Sequence, residues 1–267
     1  MEKQSFLSLL FVLVFTMTVN AQDETIEKKY GTIITDRPDQ TESSALMPKR
    51  FLQVETGALY ETLELNNIKS KTTTFNTTLL RYGLLDNLEL RVGFSNSEVK
   101  QEFNGNNLSG VASGFSPLSI GVKIGVAEEK GFLPEIAFLS HINFPFLASQ
   151  DFKTKSTSID FRFSFAHTLS EKSSLGYNIG MFWDGDITTA NYIYTIAYGY
   201  SISDKVGTFL EIYGDLPEDS HFNHLWDAGF TYLINDNIQL DISGGTGLTQ
   251  NVQDLHLSAG ISFRLPM

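Results

Sequence analysis

The chain has 267 residues, a formal net charge of -12 at pH 7 and no cysteine. An acidic chain without basic clusters excludes nucleic acid as a partner. The lack of cysteine excludes disulfides and a lipidated N-terminal cysteine. Phe and Gly at 21 each and Tyr at 10, against 7 Pro, give an all-β composition, since few stretches carry the three-to-four spacing of an amphipathic helix.

Residues 1–21 read as a secretory signal peptide. Lys3 precedes an apolar run from Phe6 to about Val19, and Val19-Asn20-Ala21 offers small residues for cleavage. The run is too short to span ~30 Å of hydrocarbon. The mature chain is expected to begin near Gln22.

Residues 22–50 form an N-terminal segment on the periplasmic side of whatever follows. Its centre, "TDRPDQTESS" from Thr35 to Ser44, is the most polar and least strand-like part of the early mature chain. Asp39 is placed to cap a short helix, "QTESSALM", with Glu42 three residues later completing a capping box. Pro48 would end that helix.

From Phe51 to Met267 apolar and polar residues alternate. In "SIDFRFSFAHTL", Ile159, Phe161, Phe163 and Phe165 share one face, and Asp160, Arg162, Ser164 and Ala166 the other. The same period of two recurs in "LELRVGF", "SIGVKIGV", "LGYNIGMFW" and "LHLSAGISFRL". The apolar face is large and aromatic. The polar face carries charges near strand centres. Runs of about nine to twelve residues suit tilted strands that cross a bilayer rather than the shorter strands of a sandwich. Five tight charged turns, around Asp86, Glu129, Glu171, Asp204 and Asp236, alternate with six longer connections: "ETLELNNIKSK", "QEFNGNNLSGVAS", "FPFLASQDFKTKS", "DGDI", "LPEDSHFN" and "GTGLTQNVQD". This pattern predicts a transmembrane, antiparallel, up-and-down β-barrel of about twelve strands, with both termini on the short-turn, periplasmic side. Trp183, Tyr192, Tyr194, Tyr198, Tyr200, Trp226 and Tyr232 suit girdles at the two interfaces. The terminal strand, "GISFRLPM", is the amphipathic kind that barrel-assembly machinery takes up, with Met267 in place of a final aromatic.

The stretch "ITDRPDQTESSALMPKRFLQVETGALYE", Ile34 to Glu61, resembles the N-terminal signature of the outer-membrane β-barrel family named for a meta-pathway of phenol degradation, which includes the functional-amyloid secretion pore. Asp36-Arg37-Pro38, Thr41-Glu42-Ser43 and Glu55-Thr56-Gly57 carry the likeness. The resemblance implies a channel or transporter for small molecules in the outer membrane of a Gram-negative cell, with hydrophobic or aromatic compounds as candidate solutes. It also implies a bore closed by an N-terminal plug.

On that expectation Asp36, Arg37, Pro38, Asp39 and Glu42 form the plug. Arg37 would pair with lumen carboxylates, and Asp36, Asp39 and Glu42 with lumen arginines. The lumen-lining candidates are Glu55, Arg81, Glu89, Arg91, Lys123, Glu135, Asp160, Arg162, Glu211, Asp227, Asp241 and Arg264. Unpaired, such charges are costly in a narrow bore. Two other readings compete. An outer-membrane, phospholipase-like enzyme needs a Ser-His pair, and Ser140, His141 and Asn143 are the nearest approach. A closed barrel with a structural or surface-binding role needs no solute at all. The spacing of His221 and His224 suits solvated loop histidines better than a metal site, and no cofactor motif is present.

Overall fold

The computed structural model describes residues 30–186, 189–218, 222–249 and 254–267. The expected signal peptide, residues 1–21, lies outside them, as do residues 22–29. Ile33–Met267 is one compact unit.

The strands are β1 (Phe51–Leu65), β2 (Ile68–Leu85), β3 (Leu88–Phe103), the short β4 (Asn106–Asn107) and β5 (Ala112–Phe115), β6 (Leu118–Ala127), β7 (Glu135–Phe144), β8 (Ser158–Ser170), β9 (Ser173–Trp183), β10 (Ala190–Ser201), β11 (Val206–Pro217), β12 (Asn223–Asn235), β13 (Ile238–Gly247) and β14 (Leu255–Pro266). Among the described residues the short β4 and β5 pair only with β3, in the connection from β3 to β6. The other twelve make an antiparallel meander. β14 returns to β1 in unbroken register from Phe51↔Pro266 to Thr62↔Leu255, and β2–β3 pairing completes the ring. A closed ladder leaves no edge, so every backbone group inside the bilayer can be satisfied within the sheet.

Lipid outside and a narrow bore inside impose opposite demands on alternate residues. Ile120, Phe163, Ile179, Ile196, Ile212, Phe230, Ile242 and Leu257 face outward and are exposed, whereas Arg81, Glu89, Lys123, Glu211 and Asp227 are 0% exposed. This inverts the arrangement of a soluble fold. Aromatic rings tile the outer face of β7–β9, with Phe138 and Phe163 5.2 Å apart and Phe165 stacked on Tyr177 at 4.8 Å. Among the described residues no helix is long and apolar enough to cross a membrane.

Two expectations are corrected. "ETLELNNIKSK" is not a long loop. β1 and β2 run through it and meet at a two-residue turn, Asn66-Asn67, whose φ angles of 52° and 64° are those of a primed hairpin turn. Nor is "QTESSALM" a helix: residues 33–47 cross the bore in irregular, extended conformation. The N–H groups that a helix would need are taken by the wall. Gln40 N–H donates to Glu211, Glu42 N–H to Asn178 and Met47 N–H to Glu89, while Ser43 N–H donates to Asp36 within the segment.

Candidate functional site: a segment across the bore

Among the described residues every long strand except β12 sends a hydrogen-bonding side chain to residues 33–47. The densest contacts come from β1–β3 and β6, where Gln53, Glu55, Arg81, Glu89, Arg91 and Lys123 are each at most 1% exposed. Asp36 is the hub. Its carboxylate lies 3.2 Å from Arg81, 2.7 Å from Arg91 and 3.1 Å from Lys123, and its own N–H donates to Glu55 at 2.9 Å. Arg81 also meets Glu55 at 3.0 Å and Glu89 at 2.8 Å, and Arg91 reaches Glu42 at 2.7 Å. Burial raises the Asp36 pKa, but Arg81, Lys123 and Arg91 outweigh it and hold this carboxyl well below the usual carboxylate range. Three cations and three acids thus satisfy one another out of reach of water, with Glu42 at the partly exposed edge of the cluster, the condition under which buried charge is tolerated.

Arg37 points the other way, across the seam between the first and last strands. Its guanidinium donates to Asp241 at 2.8 Å and 3.3 Å, to Thr77 at 3.1 Å and to Ser258 at 2.9 Å. It lies over Gly57 and Gly260, which face each other in the β1–β14 ladder. A Cβ on Gly57 would come within 2.5 Å of Arg37 Nη2, and one on Gly260 would collide with the same guanidinium. Here the missing side chains make the notch that the arginine occupies.

The rest of the segment is pinned more lightly. Glu42 and Asn178 exchange two hydrogen bonds of 2.8 and 2.9 Å. The Thr41 hydroxyl donates to Glu211 and lies 2.7 Å from the Thr195 hydroxyl. Ser44 donates to Glu135 at 2.7 Å, and Arg162 comes within 3.5 Å of the Gln40 carbonyl. Two inner-rim cavities flank the segment. One, of about 340 Å³, is bounded by Arg37, Pro38, Asp39 and Phe209; the other, of about 440 Å³, by Ser44, Leu46, Asp86 and Glu135.

The pairing expected of Asp39 is corrected. Among the described residues it meets no lumen arginine and sits instead in the field of Glu211 and Asp227, so that burial and the Glu211 carboxylate push it well above the usual carboxylate range. Arg264 and Asp160 have partners in the barrel wall. Arg264 donates to Asn237 at the inner rim and covers Phe51 at 5.8 Å, while Asp160 meets His141 at 3.1 Å. Both ring nitrogens of His141 are engaged, by Asp160 and by Arg91 Nε at 3.0 Å, whereas Ser140 donates to the Asp160 carbonyl. His224 meets the Tyr194 hydroxyl at 2.8 Å on the outer face, and His221 lies outside the described residues. Sequence reasoning passed over Gln53, Asn178, Thr195 and Ser258. Each falls on the polar parity of its strand, which was the available signal; attention to charge alone missed them.

The family described as "Putative MetA-pathway of phenol degradation" matches residues 35–265. Among solved structures, an outer-membrane channel from Pseudomonas putida F1 is similar at 13% identity and a TM-score of 0.64, over 87% of this chain and 100% of that one. The translocator domain of the autotransporter NalP from Neisseria meningitidis is similar at 10% identity and a TM-score of 0.52, over 82% and 90%. The KdgM porin, in complex with disordered oligogalacturonate, is similar at 8% identity and a TM-score of 0.50, over 79% and 98%. At these identities the likeness is one of fold, the closed barrel. No curated protein matches the sequence.

Proposed function

As the chain belongs to the family described as "Putative MetA-pathway of phenol degradation", we propose that it is a small-molecule channel of the outer membrane whose bore is plugged at rest by residues 33–47. The observation that carries this reading is the segment itself. A barrel with an apolar outside and a polar inside has a strand-free stretch of chain held across its bore by ion pairs and hydrogen bonds, with Ile33 and Met47 buried at its two ends. Such contacts hold a plug in register and can be exchanged for water and solute, which a fully apolar core could not do. The fold shared with the Pseudomonas putida outer-membrane channel supports the same reading. The family description favours aromatic solutes, phenols among them. On this reading residues 1–21 direct export, barrel-assembly machinery takes up β14, and outer-membrane lipid covers the apolar belt.

The test is ion conductance in planar bilayers for wild type, Arg37→Ala and a deletion of residues 35–47. Conductance or open probability is expected to rise in that order. The β-sheet circular dichroism should stay unchanged, because the closed ladder holds without the segment. Equal conductance in all three overturns the plug.

A further inference from the structure

Three carboxyl groups meet on the β11–β12 side of the bore with no cation among them. Glu211 and Asp227 face each other in the ladder and are both wholly buried. Glu211 holds the segment, accepting the Gln40 N–H at 2.8 Å and the Thr41 hydroxyl. Asp227 meets no N–H or hydroxyl donor among the described residues, and its place directly opposite Glu211 in the ladder makes the two carboxyl groups neighbours on the inner face. Two carboxyl groups can hydrogen-bond each other only if one carries a proton. The third acid, Asp39, arrives on the segment.

The neighbouring ionisable groups supply no standing counter-charge, since the nearest, His256, is charged only when protonated. Tyr213 is on β11 itself, and His256 of β14 has Nε2 3.9 Å from Asp227. Arg37 is paired with Asp241 on β13, Arg162 of β8 points to the Gln40 carbonyl, and Arg81, Arg91 and Lys123 surround Asp36. Thr195 and Asn178 complete the wall from β10 and β9 as neutral groups. β12, the one long strand that sends nothing to the segment among the described residues, presents Asp227 at this level.

We propose that a single proton shared between Glu211 and Asp227 latches the plug, and that its loss as pH rises releases the turn around Asp39 and Gln40. When the proton passes to lumen water, a second full negative charge appears beside Asp39. Glu211 and Asp227 are fixed in the closed ladder. Asp39 stands on irregular chain and is the one free to move away. The high pKa direction of Asp39, from burial and Glu211, reflects the same shortage of positive charge.

This latch rests on the plug reading, so its test must not depend on conduction. The chain has no cysteine, and the Gln40 side chain is exposed. A nitroxide on Gln40→Cys therefore reports the segment alone, in liposomes, by electron paramagnetic resonance from pH 5 to pH 9. The label is expected to pass from immobile to mobile as pH rises. Asp227→Asn, whose carboxamide donates to Glu211 without a titrating proton, should hold it immobile throughout. Glu211→Gln, which restores the same single bond in reverse, should do likewise. Heat-modifiable migration on gels checks that each variant is a folded barrel. A label immobile at every pH overturns the latch, as does a transition that survives in both variants. So does one that follows sodium or calcium concentration rather than pH, which would mean that the acids hold a cation. Conductance of the deletion lacking residues 35–47 tests the channel separately.

Discussion

Asp36 shows how one side chain can organise a site. Its carboxylate faces Arg81, Arg91 and Lys123 while its N–H is held by Glu55, so both its charge and its backbone are committed. Asp36→Asn keeps the shape and removes the charge. Removing one partner from a buried ionic group typically costs about 3–5 kcal/mol, and the loss should appear as earlier release of a label on the segment during urea titration, ahead of barrel unfolding. The pH dependence has a definite sign. The folded-state pKa of Asp36 lies below its unfolded value of about 3.9, so its contribution is complete above that pH and is lost as pH falls towards the folded value. Acid loosening below about pH 4 is expected in wild type and should vanish in Asp36→Asn. An unchanged acid limb would show that Asp36 is not the group being protonated. This window is separate from the alkaline release expected of Glu211 and Asp227.

At the scale of the element, the parity of each strand decides what a substitution does. Phe163 faces lipid and Arg162 the bore, one residue apart on β8. Phe163→Arg places a charge on the lipid face, at about 2–4 kcal/mol near mid-bilayer, and should lower the folded fraction on refolding into liposomes. Arg162→Ala should refold as wild type does, and the reverse result would invert the faces. In the β1–β2 turn Asn67 has φ 64°, where a β-branched residue costs roughly 1–2 kcal/mol. Asn67→Val should therefore lower the urea midpoint, whereas Asn67→Gly should not. Strand parity was legible in the sequence because lipid and lumen demand opposite chemistry at every second position. The β1–β2 hairpin was not, although Leu63, Leu65 and Ile68 keep the alternation up to Asn66-Asn67, because the polar run of residues 69–74 beyond the turn breaks it. The segment was legible in its charges but not in its shape. Capping rules are local, and they were overridden by Glu211, Asn178 and Glu89, which come from 42 to 171 residues away in sequence. Asp39 misled for the same reason: nothing near it in the chain announces that its neighbours in space are acids.

For the whole molecule, the order of turns and loops fixes an orientation. Ser170–Ser173 and Asn235–Ile238 lie on the rim that both barrel ends, Phe51 and Pro266, also reach. Asn104–Gly110 lies on the other. An impermeant amine-reactive label applied to intact cells should spare Lys172, and an outside protease should cut around Asn104 to Gly110. Modification of Lys172 from outside would reverse the molecule in its membrane.

The guanidinium of Arg37 bridges β13, β14, β1 and β2, the strands on either side of the join that turns a ribbon into a ring. A stretch that precedes the barrel in the chain is thereby fastened to the last two strands of the barrel. A sheet curling around this segment meets ready partners for Arg81, Arg91 and Lys123, instead of bringing three like charges together in an empty tube. The segment then serves as a former on which the cylinder is rolled. Its removal should slow closure more than it lowers the stability of the finished barrel, and time-resolved refolding in micelles, comparing the deletion of residues 35–47 with wild type, measures that difference.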